Sequence, residues 1–180
     1  LDVTFNPDFS QVEADVAQLE ENTTFALSYP ETRPFFLEGQ DYYQTPLQAV
    51  YTRTVADPDA GAKFTGRTGE NTIGVFATND AITNLLIPGP FASQTTSLDQ
   101  ENNGFVGRYA RGLGRTSQIG ALVTSREGGG YSNEVAGFDG RYFMTDNSTL
   151  RFQYLDSRTE YPTAVATQFG QAEELEGDAW

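Results

Sequence analysis

Between residues 47 and 157 the chain repeatedly alternates apolar and polar side chains, the period of two that an extended strand imposes. Residues 61–68 set Ala62, Phe64 and Gly66 against Lys63, Thr65 and Arg67. In Thr72 to Thr78 the residues Ile73, Val75 and Ala77 share a face. Further strands are predicted at Pro46 to Ala56, Phe105 to Arg111, Ser117 to Ser125, Glu134 to Met144 and Thr149 to Ser157. Their faces divide in the same way: Phe105, Gly107 and Tyr109 oppose Val106, Arg108 and Ala110. Ala136, Phe138 and Tyr142 oppose Gly137, Asp139 and Arg141, and Leu150, Phe152 and Tyr154 oppose Thr149, Arg151 and Gln153. Lys63, Arg67, Arg108, Arg141 and Arg151 therefore stand mid-strand, opposite the aromatics.

Short turns at Gly69-Glu70-Asn71, Gly112 to Arg115 and Thr145 to Ser148 carry the Gly, Asn and Asp that hairpins require. Residues 79–102, with Pro88-Gly89-Pro90, read as a long polar loop, and Glu127 to Gly130 as an irregular connection. Short turns alternating with long connections describe an up-and-down meander of the outer-membrane kind. A soluble β-sandwich, whose strands also alternate, is the competing architecture.

Residues 1–46 read differently. Leu1 to Phe5 alternates like a strand already under way, which predicts a piece of a longer chain. Ser10-Gln11-Val12-Glu13 has the form of a capping box, with Phe9, Val12, Val16 and Leu19 near helical spacing. A strand with Val12, Ala14 and Val16 on one face fits the same residues. Pro30 and Pro34 then impose extended or turn geometry on Tyr29 to Phe36. The chain divides into an acidic lead segment, 1–46, and a partial antiparallel barrel, 47–180.

Composition sharpens the picture by exclusion. The 180 residues carry 25 Asp and Glu against 11 Lys and Arg, a net charge of −14, with neither His nor Cys. Disulfides, thiolate or imidazole metal ligation and Ser-His or Cys-His catalysis are thereby excluded. The acidic balance argues against a nucleic-acid partner, which demands a basic face. Thirteen Phe, nine Tyr and 18 Gly exclude a disordered acidic tail. The longest apolar run, Leu85-Leu86-Ile87, is far short of the about 20 residues of a membrane helix, whereas a barrel strand needs only about 10.

Two strings are specific. Asn6 to Asp15, reading NPDFSQVEAD, and Tyr29 to Gly39, reading YPETRPFFLEG, resemble the signature of a bacterial family of unknown function, DUF5916. Gln48 to Thr54 and Gly61 to Arg67 are similar to it as well. Where the family tends to show Phe-Phe-Pro-Glu and two bases, this chain has Ser28-Tyr29 before Pro30 and Thr32 before Arg33. The resemblance implies an outer-membrane β-barrel, usually carboxy-terminal to a family 9 carbohydrate-binding-like domain. It also implies Asp8, Gln11, Glu13, Asp15, Arg33 and Glu38 as the motif residues. Implied with them are a bacterial outer-membrane location, with lipid, carbohydrate and the remainder of the same chain as partners.

The chemistry these residues could carry is narrow. Asp8, Glu13, Asp15 and Glu38 could form the paired carboxylates of a glycoside hydrolase, or else cap amides and pair with Arg33. Asp57 to Gly61 resembles a Ca²⁺ loop but lacks the third ligand and the distal Glu, so it reads as a surface turn. Gly112-Leu113-Gly114 and Gly128 to Gly130 precede no Lys-Ser or Lys-Thr and read as turn glycines. The acidic tail, Ala172 to Trp180, reads as a solvated loop. No metal or cofactor is expected. The resulting expectation is an all-β, up-and-down fragment of an outer-membrane barrel with a short irregular or helical lead. Its role would be carbohydrate binding, uptake or surface display; whether it is an enzyme stays open, leaning against, and any catalysis would be glycoside hydrolase-like. The alternatives are a carbohydrate-active hydrolase and a soluble β-sandwich that binds glycans.

Overall fold

The computed structural model describes residues 2–5, 33–50, 52, 55, 58–88, 94–114, 116–145 and 147–180. Among them the chain is mostly antiparallel strand. β1 (Asp2–Phe5), β2 (Pro58–Thr68), β3 (Asn71–Asp80), β6 (Asn102–Leu113), β7 (Ser117–Gly128), β8 (Tyr131–Thr145), β9 (Ser148–Glu160) and β10 (Glu174–Ala179) form one sheet in that order. β4 (Thr83–Ile87) and β5 (Gln94–Leu98) form a separate hairpin. The large sheet is not closed; β1 and β10 are its edges.

Register fixes the faces. Phe64 pairs with Val75, Val75 with Gly107, Gly107 with Val123 and Val123 with Ala136. One row on, Ile73, Tyr109, Ala121, Phe138 and Tyr154 run across β3, β6, β7, β8 and β9 on that same face. Most of its large side chains, including Phe64, Phe105, Val123, Phe138 and Leu150, are exposed. The opposite face carries Lys63, Thr78, Arg108, Asp139 and Gln153, all buried. This inverts the usual arrangement, in which large apolar side chains are inside and charges outside.

The inner face is buried because other parts of the chain lie on it. Arg33 is extended, as a residue before proline must be, and Pro34 opens the single helical turn α1 (Pro34–Leu37). A 3-10 turn follows at Gln40–Tyr43. Phe36, Tyr43 and Val55 pack on Phe76 of β3, Val106 of β6 and Leu122 of β7. Phe36 and Tyr43 meet Phe76 edge to face, at 5.8 and 5.2 Å between ring centroids. Gly74 leaves room for this contact, since a Cβ there would lie 2.9 Å from the Tyr43 ring.

A second apolar cluster closes one end of the sheet. Leu85 and Ile87 of β4 meet Tyr131, Tyr161, and Val165 and Ala166 of α2 (Thr163–Phe169). Gly170, at φ 64°, ends α2 and donates to the carbonyls of Ala166 and Thr167.

Several expectations are corrected. At the described residues of the strand expected at Pro46 to Ala56, which are 46–50, 52 and 55, no strand forms, and the Leu47 amide and Thr52 carbonyl bond to side chains instead. The polar loop expected at 79–102 contains the β4–β5 hairpin, whose Leu85 and Ile87 are core residues. Glu127 to Gly130 is no long connection. Gly129 and Gly130, at φ 62° and 78°, make a two-residue hairpin turn with both central residues left-handed. The tail expected to be a solvated loop supplies β10, paired to β9 from Glu174 to Ala179. The helix-or-strand alternative at 10–19 lies outside the described residues.

Tyr43 also generates a test. Its hydroxyl is buried without a hydrogen-bond partner among the described residues, and burial pushes its pKa up to about 12. The folded form thus keeps its proton while an unfolded chain loses it above pH 10, so stability falls as pH rises from 10 towards 12. Tyr43→Phe is expected to stabilise the fold by about 1 kcal/mol at pH 8, by removing an unpaired polar group. It is also expected to flatten part of the alkaline loss, checked by denaturant midpoints of both proteins at pH 8 and pH 11.

Candidate functional site

The features that distinguish this chain from a plain sheet lie on its inner face, where charged groups are held out of water. Arg33 is 1% exposed. Its Nη1 donates to the Val55 carbonyl at 2.5 Å and its Nη2 to the Thr52 carbonyl at 2.8 Å. The guanidinium also lies 4.4 Å from the Phe36 ring centroid. Among its roles, then, Arg33 ties the lead segment to residues 52 and 55 that follow it. Lys63 of β2 reaches the same segment: its Nζ donates to the carbonyls of Phe35 and Glu38, both at 2.8 Å.

Farther along, Gln153 of β9 holds residue 47 as a strand neighbour would. The Leu47 amide donates to Gln153 Oε1 at 2.5 Å, and Gln153 Nε2 donates to the Leu47 carbonyl at 3.3 Å. The side-chain amide replaces the ladder that residues 46–50 do not make.

Between these contacts sits a buried ion pair. Arg108 of β6 donates through Nη1 and Nη2 to the two carboxylate oxygens of Asp139 on β8, at 2.5 and 2.9 Å. The pair spans β7, and Gly120 provides the gap. A Cβ on Gly120 would lie 2.6 Å from both terminal guanidinium nitrogens. Two-pronged geometry satisfies both ions, which is the condition for a buried pair to be tolerated.

The motif residues separate under this geometry. Arg33 is buried in the lead, whereas the Glu38 side chain is exposed and contributes only its carbonyl, to Lys63. Arg33 and Glu38 therefore do not form a carboxylate–guanidinium pair with each other. Asp8, Gln11, Glu13 and Asp15 lie outside the described residues. Among the described residues no three carboxylates gather in a group that could hold a metal ion. Of the mid-strand bases, Lys63 and Arg108 are buried and bonded. Arg67 lies 5.9 Å from the Tyr42 ring, and Arg141 lies 5.4 Å from that of Phe143. Asp139 and Gln153 went unsingled by sequence reasoning. Their signal was only their place on the same alternating face as Arg141 and Arg151, and nothing local ties Asp139 to an Arg 31 residues away.

Residues 1–86 match the domain of unknown function DUF5916. The matched stretch holds both motif strings, β1, β2, β3 and most of β4, so the lead segment and the wall it lies on belong to one unit of similarity. β6 to β10 continue the same sheet beyond the DUF5916 match. No curated protein and no solved structure matches the chain.

Asp139→Asn is expected to destabilise the fold by about 3–5 kcal/mol, since it leaves the Arg108 guanidinium buried and unpaired. Gly120→Val should act in the same direction by pushing Arg108 off its partner. The double change Arg108→Met with Asp139→Leu should cost less than Asp139→Asn alone, measured by chemical denaturation of the three variants beside the parent.

Proposed function

We propose that this chain is wall and filling of an outer-membrane β-barrel whose apolar outer face contacts lipid. One observation carries the reading: most of the large exposed apolar side chains of six adjacent long strands, β2, β3 and β6 to β9, fall on one face of one sheet, with Phe143 on the other. In water such a surface would associate or aggregate; in a bilayer it is the required surface. The polar, hydrogen-bonded inner face is its complement. Strands of 10 to 15 residues match the tilted crossing of a hydrocarbon layer. No helix among the described residues is long and apolar enough to cross a membrane, which is silent on crossing by strands.

The open edges at β1 and β10 fit a wall completed by further strands of the same protein, because an unpaired edge in lipid leaves amides without partners. A β-sandwich would need a second sheet over the apolar face. The hairpin β4–β5 instead packs with Tyr131, Tyr161 and α2 at one end of the sheet. The lead segment lying on the inner face favours anchoring or surface display over free passage of solute. The carbohydrate connection is supported by the resemblance of the motif strings.

Phe138, 53% exposed on the outer face, discriminates between lipid and water. For chain folded into phospholipid vesicles, Phe138→Arg is expected to cost about 2–4 kcal/mol. A water-exposed position would register within about 0.5 kcal/mol. Urea titration of the vesicle-folded protein, read by tyrosine fluorescence and electrophoretic mobility without boiling, measures it. A chain that stays monomeric and folds cooperatively in detergent-free buffer would overturn the lipid assignment.

A further inference from the structure

Most bases of the inner face are held by polar neighbours. Lys63 has its two carbonyls, Arg108 has Asp139, and Arg67 donates through Nε to the Thr72 hydroxyl at 3.3 Å. Arg126 donates to the Asn84 carbonyl at 3.0 Å and engages Tyr131. Arg141 of β8 and Arg151 of β9 break this pattern. Each lies two residues from an inner-face side chain, Asp139 and Gln153, so both share that face. They stand directly opposite one another in the register, both exposed. Among the described residues neither side chain makes a hydrogen bond or an ion pair.

Like charges placed directly opposite on a sheet repel and destabilise the pair. The chain carries 25 acids against 11 bases, yet none of the described ones answers these two. Asp139, the carboxylate two residues along β8, has both oxygens on Arg108. The row continues on β7 with Gln118, in register with Arg141 and also exposed. Phe143, two residues beyond Arg141 on the same face, is 36% exposed, and the Arg141 guanidinium lies 5.4 Å from its ring centroid. Between the Gln153 hold on Leu47 and the β8–β9 turn the inner face thus presents an open ledge of two guanidiniums, an amide and a ring.

That set selects its ligand by charge and by oxygen count. One guanidinium fork takes two oxygens. A monocarboxylate has only two, so it satisfies one fork and leaves the second cation unanswered. A phosphoryl group carries about −1.5 to −2 charge at neutral pH and three strong acceptor oxygens, enough to bridge both forks. We propose that the Arg141–Arg151 row binds a phosphoryl group between its two guanidiniums, with Gln118 beside it and Phe143 against any carbon body attached. Inorganic phosphate and a phosphate monoester share this chemistry.

Both are used as probes, inorganic phosphate and phenyl phosphate, with benzoate as the monocarboxylate control. Calorimetric titration is made at constant ionic strength on full-length chain in detergent micelles, or in plain buffer if the chain is soluble there. The phosphates are expected to bind about tenfold more tightly than benzoate. Tighter binding of phenyl phosphate than of inorganic phosphate assigns a monoester with its ring on Phe143; equal affinity assigns free phosphate. Arg141→Gln and Arg151→Gln should each weaken phosphate binding by about tenfold, whereas Arg67→Gln, elsewhere on the same face, should leave it unchanged. Phosphate should also raise the denaturant midpoint of the parent and not those of the two site variants. The proposal falls if benzoate binds as well as phosphate, or if the parent midpoint ignores phosphate. It falls equally if Arg67→Gln weakens binding as much as the site variants, which would mean a diffuse positive field and no site. The row lies on the inner face, so its failure leaves the lipid assignment standing, and failure of that assignment leaves the row testable.

Discussion

An extended chain sends alternate side chains to opposite faces, and here that division is set with charge inside and hydrocarbon outside. Everything else follows from making the inner face tolerable. A buried cation must have partners, so Lys63 takes two lead-segment carbonyls and Arg108 takes both oxygens of Asp139. A partner two strands away must be reachable, so the intervening strand carries Gly120. Ring packing above the sheet needs depth, so Gly74 lies under Tyr43. These glycines matter for the space they leave, not for unusual backbone angles.

The lead segment answers the same constraint from the other side. It brings backbone carbonyls to Lys63, and Leu47 directly after it brings a backbone amide and carbonyl to Gln153. Between those polar attachments it brings Phe36 and Tyr43 to the few apolar inner positions, Phe76, Val106 and Leu122. Polar attachments exchange for water with little net gain, whereas the ring cluster supplies the dispersion and burial that keep the segment docked. Arg33, extended before Pro34 and bonded to the Thr52 and Val55 carbonyls, ties the segment to the stretch that follows it.

How much of this was legible in the sequence depended on whether the decisive contact was local. Strand period and face assignment are local, and the strands predicted at 61–68, 72–78, 105–111, 117–125, 134–144 and 149–157 all lie within β2, β3 and β6 to β9. Misreadings arose where local chemistry pointed away from the tertiary outcome. Val50, Tyr51, Thr52 and Val55 favour a strand, but Gln153 and Arg33 take up backbone groups of that stretch. Gln94 to Leu98 is polar enough to pass for loop, yet it pairs with β4, whose Leu85 and Ile87 reach the core. The acids of the tail suit a solvated segment and equally suit an edge strand with one side free. The Arg108–Asp139 pair required coordinates, because no spacing rule links residues on strands that are not neighbours.

The hold of Gln153 on Leu47 has a consequence for the order in which the molecule comes together. It joins residues 106 positions apart, and Gln153 belongs to a strand made late in the chain. Until β9 pairs with β8 there is nothing for residue 47 to grasp, although Phe36 and Tyr43 already have β3, β6 and β7 to settle on. Closing so long a loop early would cost entropy with no wall in place to repay it. The order that costs least entropy is therefore docking of the lead segment from its α1 end, with the hold on Leu47 made once the wall has assembled as far as β9.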